Sequence, residues 1–85
     1  MPYYVYILLC EDGSYYTGCT ENVRRRVAQH RKGRGARYTK IHAPEDIVYV
    51  EELESRSEAM KREREIKSLN HNEKKRLAQI QKDIM

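Results

Sequence analysis

Tyr15-Tyr16-Thr17-Gly18-Cys19-Thr20-Glu21-Asn22-Val23-Arg24-Arg25-Arg26-Val27-Ala28-Gln29-His30 is where the residue pattern changes period, and its reading decides the fold. Up to Thr20, aromatic and β-branched residues dominate, as in a strand. From Asn22, a residue type that caps helix N-termini, apolar positions recur at helical spacing. At about 100° per residue, Val23, Val27 and His30 share one stripe and Arg26 lies at its edge. Arg24 and Arg25 point away from that stripe. Gly33 supplies the stop. Arg26 and His30 are four apart and so are neighbours on the helix surface. A strand thus runs through a tight connection into a short basic helix, bringing a tyrosine, an arginine and a histidine to one surface.

Working outward, Tyr3 to Cys10 is apolar on both alternating sets, which predicts a strand covered on both faces and central in its sheet. Glu11-Asp12-Gly13-Ser14 carries turn chemistry, so the first two strands form a hairpin. After the helix, Gly33 to Lys40 reads as a basic, glycine-containing loop ending near Pro44. Asp46 to Leu53 reads as a third strand. Ser55-Arg56-Ser57-Glu58 has the form of a capping box and opens a helix to Leu69. Its inward stripe is Ala59, Glu63 and Ile66, with Met60 and Leu69 on the flanks. A last helix, Asn72 to Ile84, has Leu77, Ile80 and Ile84 as its apolar stripe. The order β-β-α-β-α-α predicts an α+β fold, a small antiparallel sheet with helices packed on it.

At 85 residues, 39% hydrophobic and 35% charged, the chain reads as one domain over residues 1–85 with a small core. Its longest apolar run, Tyr3 to Cys10, is too short to span a bilayer and lacks signal-peptide features. The expectation is a cytoplasmic protein with no membrane partner. Cys10 and Cys19 point to neither a disulfide framework nor a zinc site. The net charge of +4 is unevenly spread. Residues 1–21 hold three acids and no base, residues 22–40 hold eight Lys or Arg and no acid, and residues 45–85 are close to balance. A basic block beside the Tyr-Gly stretch favours a polyanion, nucleic acid first. A solvated helix face with a basic loop is the plainer reading.

The polar groups directed inward are Tyr6 or its strand neighbours, Tyr16, Arg26, His30 and Glu63. A carboxylate on an apolar stripe must be paired, protonated or bound to metal. A lone carboxylate that leaves several waters on the ion suits Mg²⁺ better than zinc. Arginine offers a fork for phosphate oxygens, and histidine titrates near neutrality. Tyrosine does so only if its pKa falls well below about 10. These parts match metal-assisted hydrolysis of a phosphodiester by water. They equally match an Arg26–Glu63 structural ion pair, a core histidine and core tyrosines.

Tyr4-Val5-Tyr6, Tyr16-Thr17-Gly18, Arg26, His30 and Ala59-Met60-Lys61-Arg62-Glu63, in this order, resemble the GIY-YIG nuclease domain. The likeness runs through essentially the whole chain and is closest to the small stand-alone bacterial members. Val5-Tyr6-Ile7-Leu8, Gly35-Ala36-Arg37-Tyr38-Thr39 and Arg56-Ser57-Glu58-Ala59 look like theirs. The resemblance implies a three-stranded antiparallel sheet flanked by helices, and divalent-metal-dependent cleavage of a nucleic-acid phosphodiester, DNA before RNA, in repair or processing. It implies Tyr6 as general base or its support, and Tyr16 positioning the water or phosphate. Arg26 would bind the scissile phosphate and His30 would assist proton transfer. Glu63 would hold a single Mg²⁺ or Mn²⁺, and Gly18 would let the chain turn tightly beside the site. Arg24, Arg25, Arg31, Lys32, Arg34, Arg37, Tyr38 and Lys40 are the expected nucleic-acid contacts. The first motif lacks its glycine, and Tyr38, Lys40, Asn70 and Asn72 are candidates for the remaining polar positions of the family site. A lone domain would take its target by intrinsic structure preference, dimerisation or a recruiting protein. The alternative is a nucleic-acid-binding module that keeps the fold and cuts nothing.

Overall fold

The computed structural model describes residues 1–34 and 37–84. Gly35, Ala36 and Met85, with the side chains of Lys40 and Ile84, lie outside the described residues. The order is β1 (Tyr3–Cys10), β2 (Tyr15–Thr20), α1 (Val23–Arg31), α2 (Arg37–Ile41), β3 (Pro44–Leu53), α3 (Arg56–Lys67) and α4 (His71–Ile84). The α+β architecture agrees with the expected order except for one addition. The segment read as a loop contains the short helix α2.

The sheet is antiparallel with order β2-β1-β3, so β1 is central, as its two-sided apolar pattern predicts. Alternate β1 side chains divide the core. Val5 and Ile7 pack with Tyr49, Ala59 and Ile66 beneath α3, whereas Tyr6 and Leu8 pack with Val27 of α1 on the opposite face. The hairpin turn is closed by the Gly13 N–H on the Cys10 carbonyl at 2.9 Å, with Gly13 at φ 84°. Asp12 Oδ1 accepts from both the N–H and the hydroxyl of Ser14.

Each helix end follows from its residues. Asn22 caps α1 by accepting the Arg25 N–H at 3.0 Å. At the other end Gly33, at φ 73°, donates to the His30 carbonyl while Arg34 donates to that of Gln29, a Schellman closure. Ser55 caps α3 through the Glu58 N–H. Arg62 reaches from α3 to Glu51 on β3 at 2.9 Å, and Tyr49 donates to the same carboxylate oxygen.

The expected stripe of α4 needs correction. Leu77, Ala78 and Gln81 turn toward the sheet, while Ile80 is 51% exposed. The cause lies at the sheet edge. β3 is an edge strand, and the Gln81 side-chain amide accepts from the Val50 N–H at 2.8 Å and donates to the Val50 carbonyl at 2.7 Å. Satisfying an edge backbone pair holds Gln81 inward and swings Ile80 out.

Candidate active site

Tyr6 and His30 meet in the layer between β1 and α1. Both are about 1% exposed, and the Tyr6 hydroxyl lies 2.8 Å from Nε2 of His30. On the other side of the ring, Nδ1 lies 2.7 Å from the hydroxyl of buried Thr39, on α2. The imidazole is therefore clamped between two hydroxyls. Burial, and secondly the Arg26 charge, lower its pKa to about 4, so it is neutral at physiological pH. Burial also pushes the Tyr6 phenol well above its ordinary value, against a smaller lowering by Arg26. Tyr6 thus does not meet the low-pKa condition under which a tyrosine titrates near neutrality.

The buried neutral His30 makes a stability prediction. Its folded pKa of about 4 lies below the usual value of 6.5. Between those pH values the unfolded chain takes up a proton that the fold excludes. The stabilising contribution is complete above 6.5 and declines as pH falls toward 4, by up to about 3 kcal/mol. His30→Leu removes the buried hydrogen bonds that His30 makes to the Tyr6 and Thr39 hydroxyls, so it costs stability at pH 7. Denaturant titrations at pH 7 and pH 4.5 are expected to show the gap between parent and variant narrowing at the lower pH.

Gly18 supports the site by a route different from the tight turn expected of it. It lies inside β2, paired with Tyr6 across the sheet, and is not among the positive-φ residues. A Cβ at this position would stand 2.5 Å from the Tyr6 hydroxyl oxygen and 2.8 Å from the ring carbon bearing it. Glycine leaves the space that the tyrosine fills.

Tyr16 lies on the same face as Tyr6, half-buried, with its ring centroid 5.1 Å from that of His30. Burial raises its pKa, Lys67 and Arg26 oppose this, and Glu63 adds to it. Tyr16 stands on β2, an edge strand of the sheet. The Arg26 guanidinium donates to Gln29 of its own helix at 3.0 Å. The alternative of an Arg26–Glu63 ion pair is not what forms. Glu63 takes Lys67 on Oε2 at 3.0 Å and the Cys19 thiol on Oε1 at 3.2 Å. Burial first, and Glu63 next, raise the Cys19 pKa to about 11.

No group of three or more His, Cys, Asp or Glu capable of holding a metal occurs among the described residues. Glu63 stands as a single carboxylate whose side chain is 18% exposed. That donor set fits a hard divalent ion keeping most of its waters and does not build a zinc cage.

The expected nucleic-acid contacts separate into two groups around α1. Tyr38 joins the site: its ring stacks on Tyr16 with centroids 5.9 Å apart and on His42 at 4.3 Å. Arg37 is exposed on the same short helix. Arg24, Arg31 and Lys32 line a separate groove of about 380 Å³ floored by Val27, Ala28 and Ile47. Arg25 is exposed and paired with Glu21 at 3.4 Å, and Arg34 is exposed beyond the end of α1. Lys40 belongs to α2, with its side chain outside the described residues.

Asn70 is occupied structurally. Its Oδ1 accepts the Glu73 N–H at 2.9 Å while Glu73 accepts the Asn70 N–H at 3.0 Å, a reciprocal cap for α4. Asn72 is exposed on the first turn of α4. Sequence reasoning gave Thr39 no role beyond its place in a family-like phrase, and gave none to His42 or to the Cys19 and Lys67 partners of Glu63. Only Lys67 carried a legible signal, standing four residues after Glu63 on a helix.

No helix among the described residues is long and apolar enough to cross a membrane. The GIY-YIG catalytic domain matches residues 2–77 of the chain. A UPF0213 protein from Natronomonas pharaonis is 52% identical over 75 residues, 88% of each chain. Another from Staphylococcus saprophyticus is 45% identical, covering 88% of this chain and 92% of its own. The solution structure of a UPF0213 protein from Bacillus halodurans superposes with a TM-score of 0.59 at 44% identity, covering 94% of this chain and 85% of its own. That of a protein from E. faecalis gives 0.62 at 37% identity, covering 99% of this chain and 86% of its own. By sequence over nearly its whole length, and by fold, the chain belongs to the GIY-YIG nuclease family.

Proposed function

We propose that this protein is a divalent-metal-dependent endonuclease that hydrolyses a nucleic-acid phosphodiester, DNA in preference to RNA, in repair or processing. The observation that carries the reading is the position of Tyr16 on β2, whose ring lies against His30 and Tyr38, while Glu63 reaches the same strand at Cys19. On this reading the β2 edge carries groups suited to proton handling and to holding a metal, with Arg26 on the neighbouring helix α1 suited to phosphate.

Arg26 binds the scissile phosphate and stabilises the charge that develops on its oxygens. Tyr16 orients the phosphate or the attacking water. Glu63 would hold Mg²⁺ or Mn²⁺, which supplies Lewis-acid charge stabilisation when bound. Tyr6 serves without becoming a free phenolate. As water attacks phosphorus, the P–O bond to the leaving oxygen breaks and that oxygen departs with the bonding pair and takes a proton from solvent, while a proton of the attacking water passes to the Tyr6 oxygen. The Tyr6 proton moves to Nε2 of His30, leaving a neutral phenol and an imidazolium. The concerted transfer avoids a free phenolate, and the imidazolium it leaves is offset by the negative charge of the bound phosphate.

The test is to incubate the protein with single-stranded, duplex, flapped and branched DNA and with RNA, in Mg²⁺, Mn²⁺ or chelator. Metal-dependent product is expected. A salt-sensitive gel shift with no product under any condition would instead support a binding module. The two charge groups around α1 make a further expectation. Replacing Arg24, Arg31 and Lys32 together by alanine should weaken binding about evenly across sequences. The slope of log K against log salt should fall by up to about 3, roughly one per lost phosphate contact. The cleavage rate at saturating substrate should remain near that of the parent, because none of the three lies on the Tyr16 flank.

A further inference from the structure

We propose that Thr39 is a positioning residue for this site: its hydroxyl accepts the Nδ1–H of His30 and so fixes the imidazole tautomer whose free Nε2 receives the Tyr6 proton. The inference rests on the proton path just described and adds a residue to it.

Donors and acceptors must balance in this closed space. Tyr6, His30 and Thr39 are each 2% exposed or less, so bulk water does not compete for their hydrogen bonds in the resting site. A neutral imidazole carries one N–H, and its two nitrogens face two hydroxyls at 2.8 and 2.7 Å. Two arrangements are open: Tyr6 donates and Thr39 accepts, or the reverse. Burial of the phenol decides between them. The Tyr6 O–H lies against Nε2 of His30 at 2.8 Å in a site closed to solvent, and turning that proton away would leave a buried donor without an acceptor. The Tyr6 proton therefore points at Nε2. The single imidazole proton then resides on Nδ1 and is held by Thr39.

The placement of Thr39 also explains the five-residue helix α2. That element turns Arg37 and Tyr38 outward, with Tyr38 on Tyr16, and turns Thr39 inward onto His30. One short segment thereby joins the substrate-facing surface to the buried relay. The ionisable groups around His30 are Tyr6 on β1, Tyr16 on β2 and Arg26 on its own helix. Thr39 is the contribution of α2 and carries no charge, so its effect is on tautomer and orientation.

Imidazole ¹⁵N shifts of the intact protein at neutral pH provide the test. The parent is expected to show His30 as the Nδ1–H tautomer. Thr39→Val, nearly isosteric, should lose that preference, and Thr39→Ser should retain it. In cleavage assays Thr39→Val should lower kcat by about tenfold or more with KM little changed, and Thr39→Ser should recover most of the rate. An unchanged His30 tautomer in Thr39→Val would overturn the proposal. If that variant does not fold, Thr39→Ser decides: loss of the Nδ1–H tautomer there overturns the proposal equally. A tautomer change in Thr39→Val together with no cleavage by any form, the parent included, would uphold the brace and sink the nuclease reading instead.

Discussion

Glu63→Ala is expected to remove metal-dependent cleavage, by about a hundredfold or more, while the fold survives. The size follows from the several kcal/mol of charge stabilisation that a bound divalent ion supplies. Survival of the fold follows from the setting of Glu63. Its carboxylate meets a half-exposed Lys67 and the neutral Cys19 thiol, so its removal leaves no buried charge unpaired, and the lost pair contributes about 1 kcal/mol. Ala59 and Ile66, which anchor the same helix in the core, are untouched. A second readout is independent of activity. Glu63 is the main electrostatic cause, after burial, of the raised Cys19 pKa near 11. Removing it should lower that pKa and speed Cys19 alkylation at fixed pH, with buried Cys10 as the internal reference. Faster alkylation with undiminished cleavage would show that the geometry is right and the metal role wrong. Unchanged alkylation would show that Cys19 and Glu63 are not in contact.

How far the site was legible depends on the range over which each signal acts. The strand-to-helix stretch, the central placement of β1 and the inward direction of Glu63 all follow from periodicity, which the burial of Val27, His30, Ala59 and Ile66 obeys. The face of α4 does not. An apolar stripe assumes that burial is the only demand, and here the edge strand asks for an amide from Gln81. The helix α2 is too short for a period to declare itself, and isolated helices of that length are not stable by propensity. Thr39 therefore reads as loop until tertiary contact puts it on His30. The eight basic residues read as one block because charge was counted along the chain. A helix about 10 Å wide separates them in space, leaving Arg26 on the tyrosine side and Arg24 and Arg31 on the other.

Gly18 is the clearest instance of a residue whose importance was visible and whose reason was not, and it carries the second large effect. Gly18→Ala is expected to destabilise the protein by about 2–4 kcal/mol, combining overpacking of a full core with loss of one buried hydrogen bond. Cleavage should fall about a hundredfold, because a relay displaced by a fraction of an ångström no longer meets its partners. Tyr6 has no room to yield. Its ring is held against Leu8 and Val27 and its hydroxyl is held by His30, so the new Cβ at 2.5 Å must break one of these contacts. Had the glycine served a turn, alanine would be costly whatever residue stood at position 6. Because the atom nearest the new Cβ is the Tyr6 hydroxyl, Tyr6→Phe should relieve much of the clash, leaving the ring carbon at 2.8 Å to shift slightly. Denaturant titrations of the two single variants and the double variant form a cycle. Its coupling energy should be favourable by about 1–2 kcal/mol, the range for side chains in direct contact. The double variant should be more stable than additivity allows yet remain inactive, since phenylalanine has no proton to pass to His30. Simple additivity would return Gly18 to a backbone role and remove the steric basis for the position of Tyr6.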